Sequence, residues 1–244
     1  MLSFQQLSVS RAGRRLLSGL DLEVPLGTVV AVLGPNGAGK SSLLLALAGM
    51  LEAEGDVTWS GKSLFGMSRK QLAETVAWQG ELPPAEFGLT VRQRLELAAG
   101  KEADTTLPKS AAKMEIDRLL LRDLAALSSG ERQRVEIAAL SLRDAPLWLM
   151  DEPSAHLDLK HQAACLQLMR EEASAGRTII TVLHDLAQAQ AVADQVVLVY
   201  GDGRVEAGPA SERMTAEALQ ALFGVGLKRA GGAILPDYGG GRSE

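Results

Sequence analysis

The sequence predicts an α/β fold built around a mainly parallel β-sheet. Two observations lead to that prediction. First, the apolar, β-branched runs at residues 28–34 and 178–183 have the continuous hydrophobicity of strands that are buried on both faces. Second, helical patterns separate the strand patterns, as expected when crossover helices join parallel strands. The 244 residues, of which 46% are apolar, suffice for one large domain or a core with a subdomain.

The first part of the chain predicts several strands and one helix. The buried strand at 28–34 leads through a glycine-rich loop into a helix that ends at Gly49. Over residues 80–145 the β-branched runs vanish, and Arg, Glu, Leu and Ala dominate. We predict a mostly helical insertion there, which opens with a loop that contains Pro83 and Pro84. The shorter strands predicted in this part are residues 4–10, 20–24, 55–61 and 74–79.

The second part of the chain returns to alternating strands and helices. Its end, from Gly224 onwards, is a glycine-rich tail whose last residues we expect to be loosely held. The elements predicted before that tail are a strand within 146–153, an amphipathic helix at 157–176, a strand at 177–185, a helix at 186–194, a hairpin at 195–208 and a short helix at 215–223.

Composition and charge exclude several classes of function. The formal net charge is −5 and basic residues are interspersed with acidic ones, so direct binding of nucleic acid is not expected. The longest apolar run, residues 43–51, is far short of the ~20 residues that a membrane-spanning helix needs. The polar N-terminus does not have the pattern of a signal peptide. The single cysteine, Cys165, fits a reducing compartment, and we expect it to be a packed residue rather than a nucleophile.

A phosphate-binding loop is the most specific motif in the chain. The segment GPNGAGKSS matches G-x-x-x-x-G-K-[ST] at every fixed position, and it follows a strand and precedes a helix. Its backbone N–H groups and the helix N-terminus can therefore face phosphate oxygens. We expect Lys40 to reach the β- and γ-phosphates of a nucleotide and Ser41 to place its hydroxyl on Mg²⁺. The residues of this phosphate loop are Gly34, Pro35, Asn36, Gly37, Ala38, Gly39, Lys40, Ser41 and Ser42.

Two acidic residues follow the apolar strand LWLM. Asp151 stands at the predicted C-terminal end of that strand, where it can organise Mg²⁺ through its water shell. Glu152 lies one residue further, where it can orient and deprotonate an attacking water. Acids at a strand end are common by themselves, but together with the phosphate loop they predict a site of nucleotide hydrolysis.

Three more polar residues come just after apolar strands. Gln79 follows TVAW, His184 follows IITVL, and Asp158 lies six residues past Glu152. Each position is ordinary by itself, but the carboxyl edge of a parallel sheet is where α/β proteins bind ligands. We predict that His184 donates to a γ-phosphate oxygen in the transition state. Gln79 is predicted to contact the metal or the attacking water and to report the nucleotide state to the helical insertion.

The segment LSSGERQ, residues 127–133, has two interpretations. As a helix start it is sufficient in itself, because Ser128 is a good N-cap and Glu131 completes a capping box. Its Ser-Ser-Gly sequence nevertheless allows the backbone more conformational freedom than a helix start requires. That leaves open whether the segment serves this chain or something that docks against it.

In this order, the phosphate loop, Gln79, LSSGERQ, LMDEP, SAHLD and His184 resemble the nucleotide-binding subunits of ABC transporters. The resemblance covers residues 2–224. It implies a P-loop NTPase fold with a RecA-like core, an antiparallel β-subdomain near the N-terminus and an α-helical subdomain. It also implies ATP hydrolysis by a head-to-tail dimer with ATP and Mg²⁺ at the interface. The implied division is a core with the β-subdomain at 1–79 and 146–224, a helical subdomain at 80–145 and a C-terminal tail at 225–244.

In that family LSSGERQ is the signature, and it meets the nucleotide held by the other subunit. The resemblance implies that Ser128 and the backbone N–H groups of Ser129 and Gly130 contact the γ-phosphate in trans. It places Asp158 on the same interface. The family commonly has glycine where this chain has Ser129, which we expect to be tolerated if the φ angle there is negative.

The adenine-binding position also departs from the family. The family commonly stacks an aromatic ring on adenine from the loop after the first strand, and the corresponding segment SVSRAGRR has none. Arg11 is a candidate to stack its guanidinium on the base instead. The equally weighted alternative is that Arg11 is solvated and adenine is held weakly.

Three segments narrow the resemblance, namely residues 156–162, 181–208 and 217–229. They resemble the ATPases of metal-chelate importers, which take up vitamin B12, ferric siderophores, haem or oxyanions. The short insertion and the missing aromatic favour vitamin B12. The resemblance implies a polytopic permease docked near Gln79 and residues 80–90, an indirect link to a substrate-binding protein, and a peripheral location on the cytoplasmic face of the inner (plasma) membrane. The alternatives are a soluble ABC ATPase of the iron–sulfur assembly type, an exporter ATPase and a small-molecule P-loop kinase.

Overall fold

The computed structural model describes residues 1–80, 88–100, 103–231 and 233–237 of the chain. The strands are β1 (Leu2–Arg11), β2 (Arg14–Val24), β3 (Val29–Leu33), β4 (Ala53–Trp59), β5 (Lys62–Ser63), β6 (Val76–Gln79), β7 (Leu147–Asp151), β8 (Thr178–Val182), β9 (Gln195–Val199), β10 (Val205–Pro209), β11 (Leu227–Ala230) and β12 (Ala233–Pro236). The helices are α1 (Lys40–Leu47), α2 (Arg69–Thr75), α3 (Val91–Ala99), α4 (Ala103–Lys113), α5 (Ser129–Ser141), α6 (Leu159–Ser174), α7 (Leu186–Val192), α8 (Ala210–Arg213) and α9 (Ala216–Phe223). Two short 3₁₀ helices lie at Asp117–Leu119 and Leu124–Ala126.

A six-stranded sheet in the order β10-β9-β3-β8-β7-β6 forms the centre of the fold. The strands from β9 to β6 run parallel, and β10 joins the edge antiparallel. All five residues of β3 are buried, which accounts for its continuous apolar run. The predicted α/β fold with a mainly parallel sheet is confirmed. The C-terminal ends of β3, β6, β7 and β8 therefore meet at one edge of the sheet.

A second, antiparallel sheet has the order β2-β1-β4-β5. Strand β1 pairs with β2 on one side, with Leu2 opposite Val24, and with β4 on the other. This sheet confirms the antiparallel element that the resemblance implied near the N-terminus. Arg11 is the last residue of β1, directly before the turn to β2.

The two faces of the central sheet pack against different layers. On β3, Val30 and Val32 belong to the core cluster that includes α1 and the antiparallel sheet. Val29, Ala31 and Leu33 belong to the cluster formed with the helices on the other face. Successive side chains point to opposite faces of a strand, so a single buried strand joins both cores. Packing from both sides fixes the position of the sheet edge at which the site lies.

Helices account for most of the described part of residues 80–145. Helix α5 packs against α3 and α4, and Ser110 of α4 donates a hydrogen bond of 2.8 Å to the Ala138 carbonyl. Arg94 of α3 forms a 2.5 Å ion pair with Glu136 of α5. Ser128, Thr90 and Ser68 each cap a helix through a capping box.

Helix α2 and the C-terminal tail differ from the prediction, and the short elements β5 and α8 were not predicted. Helix α2 was not predicted, and it takes the first residues of the expected strand at 74–79, so β6 begins at Val76. The tail from Gly224, for which we predicted no strand, contains the hairpin β11–β12, in which Ile234 is only 1% exposed. Its last residues, 238–244, which we expected to be loose, lie outside the described residues. Residues 81–87, part of the expected permease-docking segment, lie outside the described residues. Within the described part of the chain, no helix is both long and apolar enough to span a membrane.

Candidate active site

The phosphate loop connects the end of β3 to the start of α1. Gly39 is the N-cap of α1 with φ 108°, a left-handed conformation that favours glycine. A Cβ atom at Gly39 would also lie only 2.7 Å from the Cβ of Leu16. The loop can therefore curl tightly over the helix N-terminus, as phosphate binding by backbone N–H groups requires.

Lys40 is folded back over this loop. Its side chain is buried, and Nζ donates hydrogen bonds to the carbonyls of Gly34 (2.9 Å) and Pro35 (3.0 Å). Burial lowers the pKa of Lys40 below its ordinary value, while the nearby carboxylates of Glu152 and Asp151 act in the opposite direction. The ammonium group is thus held at the loop where phosphate oxygens would lie.

Two buried oxygens at the C-terminal ends of the neighbouring strands β6 and β7 lack partners. Among the described residues, neither Asp151 Oδ1 nor Gln79 Oε1 has a hydrogen-bond partner, although the Gln79 amide nitrogen donates to the Gly80 carbonyl at 2.7 Å. Burial raises the pKa of Asp151, and a hydrogen bond from the Ser41 hydroxyl opposes that rise. Unpaired buried acceptors are costly, so both oxygens are suited to a cation and its water shell.

Asp151 lines a cleft of about 400 Å³, and Gln79 directly precedes Gly80, which also lines it. The full lining is Ser41, Gly80, Gln133, Asp151, Glu152, Ala155 and His156. The part of the chain that the structure describes holds no cluster of three or more His, Cys, Asp or Glu side chains for a metal. One carboxylate with hydroxyl and amide ligands is nevertheless the kind of set that Mg²⁺ shares with nucleotide phosphates. The residues present fit the predicted Mg²⁺ site.

Glu152 and His184 face each other across the sheet edge. His184 Nε2 lies 2.6 Å from Glu152 Oε1, and both side chains are about half exposed. They line a cleft of about 540 Å³ together with the phosphate-loop residues Asn36, Gly37, Gly39, Lys40, Ser41 and Ser42 and with Arg11, Ala12 and Leu16. The structure therefore brings the predicted base and the predicted phosphate ligand to one cavity.

Arg11 is the only one of three neighbouring arginines to line that cleft. Arg14 donates to the Gly201 carbonyl at 2.5 Å, and Arg15 pairs with Glu54 at 2.7 Å. Arg11 has no hydrogen-bond or ion-pair partner among the described residues. Its guanidinium is exposed beside the phosphate loop.

The predicted trans ligands Ser128, Ser129, Gly130 and Asp158 line neither cleft. Ser128 caps α5, accepting from the Glu131 N–H at 3.2 Å, and Ser129 is the first residue of that helix, without the positive φ that would have strained a serine. Asp158 caps α6, accepting from the N–H and Nδ1 of His161 at 2.9 and 2.7 Å, and these bonds lower its pKa. Within one chain, these predicted ligands are not brought to the phosphate loop.

Sequence reasoning gave no role to Gln133, the last residue of the signature. It is 2% exposed, it lines the cleft of Asp151 and Glu152, and Nε2 donates to the Pro153 carbonyl at 2.8 Å. In the sequence, the position of Gln133 inside LSSGERQ is the only signal that could have pointed to such a role. Gln133 connects α5 directly to the chain segment that follows Glu152.

A family described as "ABC transporter" matches residues 17–155, which is more than half of the chain. The chain belongs to the ABC transporter family. The matched residues include the phosphate loop, the signature and both acids of LMDEP.

Individual relatives in the ABC transporter family are ATP-binding subunits. The hemin import ATP-binding protein HmuV of Streptomyces coelicolor is 41% identical over 222 residues, which cover 87% of this chain and 79% of that protein. HmuV of Pseudomonas aeruginosa is 36% identical, with 92% of this chain and 93% of that protein covered. The cobalamin import ATP-binding protein BtuD of Halobacterium salinarum is 35% identical, covering 95% of this chain and 63% of that protein. This ABC transporter subunit is accordingly an ATPase, which favours the transporter interpretation over a small-molecule kinase.

Solved structures of the family have the same fold. One ATP-binding subunit of an ABC transporter aligns with a TM-score of 0.79 at 29% identity, covering 87% of this chain and 91% of that one. An inward-facing transporter assigned to the metal-chelate type aligns with a TM-score of 0.81 over 97% of both chains, at 22% identity. The predicted P-loop NTPase fold is therefore confirmed.

Proposed function

We propose that this ABC ATPase powers the uptake of a metal chelate, as one of two identical ATP-hydrolysing subunits bound to a membrane permease. The observation that carries the chemistry is the Glu152–His184 pair, 2.6 Å apart, in the same cleft as Lys40 and the phosphate loop. This arrangement suits in-line attack of water on a γ-phosphate.

Lys40, Ser41, Asp151 and Gln79 hold the substrate in this proposal. The Lys40 ammonium exchanges its two loop carbonyls for β- and γ-phosphate oxygens, and the loop N–H groups bind the remaining oxygens. Ser41, Asp151 and Gln79 would hold Mg²⁺, which when bound neutralises charge on the phosphates. Binding would thereby satisfy the buried acceptor oxygens of Asp151 and Gln79.

Glu152 is the proposed general base and His184 its partner. The Glu152 carboxylate accepts the proton of the attacking water. In the free chain His184 Nε2 orients that carboxylate, and with ATP bound the imidazole N–H would donate instead to the γ-phosphate as negative charge develops. Because both side chains are half exposed, water can reach them in the free chain.

The signature acts from the second copy of the chain. The capping box of Ser128 and Glu131 fixes the first turn of α5, so the N–H groups of Ser129 and Gly130 are aimed outward as an anion site. Asp158 is more than half exposed and belongs to the same interface. Ser128, Ser129, Gly130 and Asp158 do not line the clefts of their own chain, which supports a head-to-tail dimer.

A groove between the core and the helices is the proposed docking site of a permease helix. It measures about 510 Å³, and its apolar lining includes Met50 and Leu97, which are 61% and 68% exposed. Residues 76–78 of β6 form part of its wall, and that strand ends at Gln79. A permease helix bound in this groove would contact β6, so a movement of Gln79 would be transmitted to that helix through this short strand.

The chelate and the cellular location follow from the relatives. Hemin import is the activity named for five of the relatives, cobalamin import for two and achromobactin transport for one. These names support import of a metal chelate over export or iron–sulfur assembly, with haem and vitamin B12 as the two leading substrates. We place the subunit on the cytoplasmic face of the inner membrane, with a substrate-binding protein delivering the chelate from the other side.

The Glu152→Gln variant tests the proposed chemistry. It keeps the size of the side chain but removes the base, so it should bind MgATP, accumulate as an ATP-bound dimer and lose most hydrolysis. Radiolabelled phosphate release and size-exclusion chromatography with ATP measure the two effects. Full turnover by this variant would exclude Glu152 as the base.

A further inference from the structure

Two glutamines join the turn after Glu152 to the helix after His184. The Ser154 hydroxyl donates to Gln188 Oε1 at 2.6 Å, Gln188 Nε2 donates to Gln162 Oε1 at 3.1 Å, and Gln162 Nε2 donates to the Leu157 carbonyl at 3.0 Å. We call these four groups the glutamine chain. Because a carbonyl can only accept, Leu157 fixes the orientation of both amides and hence the direction of every bond.

The glutamine chain begins and ends in one strained turn. Between Ser154 and Leu157 lies His156, whose φ is 63°, and Glu152 just before has φ 50°. Left-handed backbone at residues other than glycine costs free energy and persists only where neighbouring groups hold it. The turn thus depends on external side chains for its shape.

Three helices supply those side chains. Gln133 of α5 donates to the Pro153 carbonyl, Gln162 extends from α6, and Gln188 extends from α7. The N-cap of α7 is Asp185, which accepts from the Gln188 N–H at 3.3 Å and directly follows His184. Gln188 therefore connects the segment that carries His184 with the segment that carries Glu152 and Asp158.

We propose that Gln188 and Gln162 are positioning residues for ATP hydrolysis. They hold the turn so that the Glu152 carboxylate stays within hydrogen-bond distance of His184 while Asp158 remains presented to the second copy. Neither glutamine contacts the reacting atoms. This inference rests on the proposed roles of Glu152 and Asp158.

Gln188→Met tests the proposal, because it keeps the length of the side chain and removes both hydrogen bonds. We expect kcat to fall about tenfold, since small misplacement of a catalytic group is costly, with KM for ATP within about twofold of the original. The matched control is Gln190→Met on the same helix, whose amide oxygen accepts from the N–H of Ile234, in the hairpin β11–β12, at 3.3 Å. It should leave kcat unchanged.

A double-mutant cycle separates positioning from general destabilisation. Ser154→Ala removes the donor at the start of the glutamine chain, and it should lower kcat without further loss in the double variant with Gln188→Met. An unchanged kcat in Gln188→Met, additive losses in the cycle, or a kcat loss that tracks a lower melting temperature would each overturn the proposal. If Glu152→Gln retains turnover, the role of Glu152 fails. If Glu152→Gln is inactive while Gln188→Met is fully active, only the role of the glutamine chain fails.

Discussion

The carbonyl oxygen of His156 lies against Gly130, so close that a Cβ atom at Gly130 would sit 2.7 Å from it. This contact within one chain requires glycine at position 130 of LSSGERQ. The close approach of a phosphate held by the second copy is therefore not the only reason for a glycine there. It means that the N-terminus of α5 packs on the same turn that carries Glu152 and Asp158. The two halves of the proposed composite site are thus in contact within one chain.

Replacement of Gly130 by alanine should therefore destabilise the free protein. The added methyl must displace a backbone carbonyl, and we expect a loss of about 1–3 kcal/mol in the free energy of unfolding, together with a loss of ATPase activity. Ser129→Ala is the neighbouring control, because Ser129 is exposed and already helical. Equal unfolding free energies for the two variants in urea titrations would show that the His156 contact is unimportant.

Asp151→Asn should stabilise the nucleotide-free protein while abolishing Mg²⁺-dependent hydrolysis. Burial raises the pKa of Asp151 in the folded state, so at neutral pH the ionised carboxylate weakens the fold relative to the unfolded chain. Asparagine removes that penalty, and the melting temperature should rise by a few degrees.

The stabilisation expected for Asp151→Asn should depend on pH. The gain should be present at neutral pH and should disappear as the pH falls below the pKa of Asp151 in both states, where the carboxyl is neutral anyway. Asp144→Asn, at an exposed position, should change neither the melting temperature nor its pH dependence. A lower melting temperature for Asp151→Asn at neutral pH would contradict the account.

Arg11→Ala should weaken ATP binding if the guanidinium stacks on adenine. Such contacts are worth about 0.5–2 kcal/mol, so the Kd for ATP should rise by roughly twofold to thirtyfold, and Arg11→Tyr should restore it. Arg15→Ala, which removes only the ion pair with Glu54, is the control. An unchanged Kd in Arg11→Ala, measured by calorimetry, would favour the solvated alternative.

The sequence predicted most of the fold because its signals were local. The fully buried strand β3, the phosphate loop and the capping box of Ser128 each depend on a few consecutive residues. Helix α2 has the same kind of signal, since Ser68 and Gln71 form an S-x-x-Q capping box, but its residues carry no apolar stripe and none is buried.

The parts that escaped prediction depend on contacts between distant residues. The left-handed backbone at Glu152 and His156 is held by Gln133, Gln162 and Gln188, from three different helices. Nothing in the pattern around any one glutamine shows where its amide points. The tail hairpin is similar, because burial of Ile234 rather than local propensity accounts for it.

The assembly of one active site from two chains is the central proposal, and intersubunit complementation tests it most directly. A Lys40→Ala copy loses the phosphate loop and a Ser128→Arg copy loses the signature, so each should be inactive alone. In a head-to-tail dimer of one copy of each, one site has both defects and the other has none. An equal mixture should then recover about a quarter of the original ATPase activity, because half of the dimers are mixed and each has one intact site. A mixture of Lys40→Ala with Glu152→Gln, whose defects lie in the same half of the site, should recover nothing. If the first mixture also stays inactive while size-exclusion chromatography shows that mixed dimers form, the signature does not act in trans.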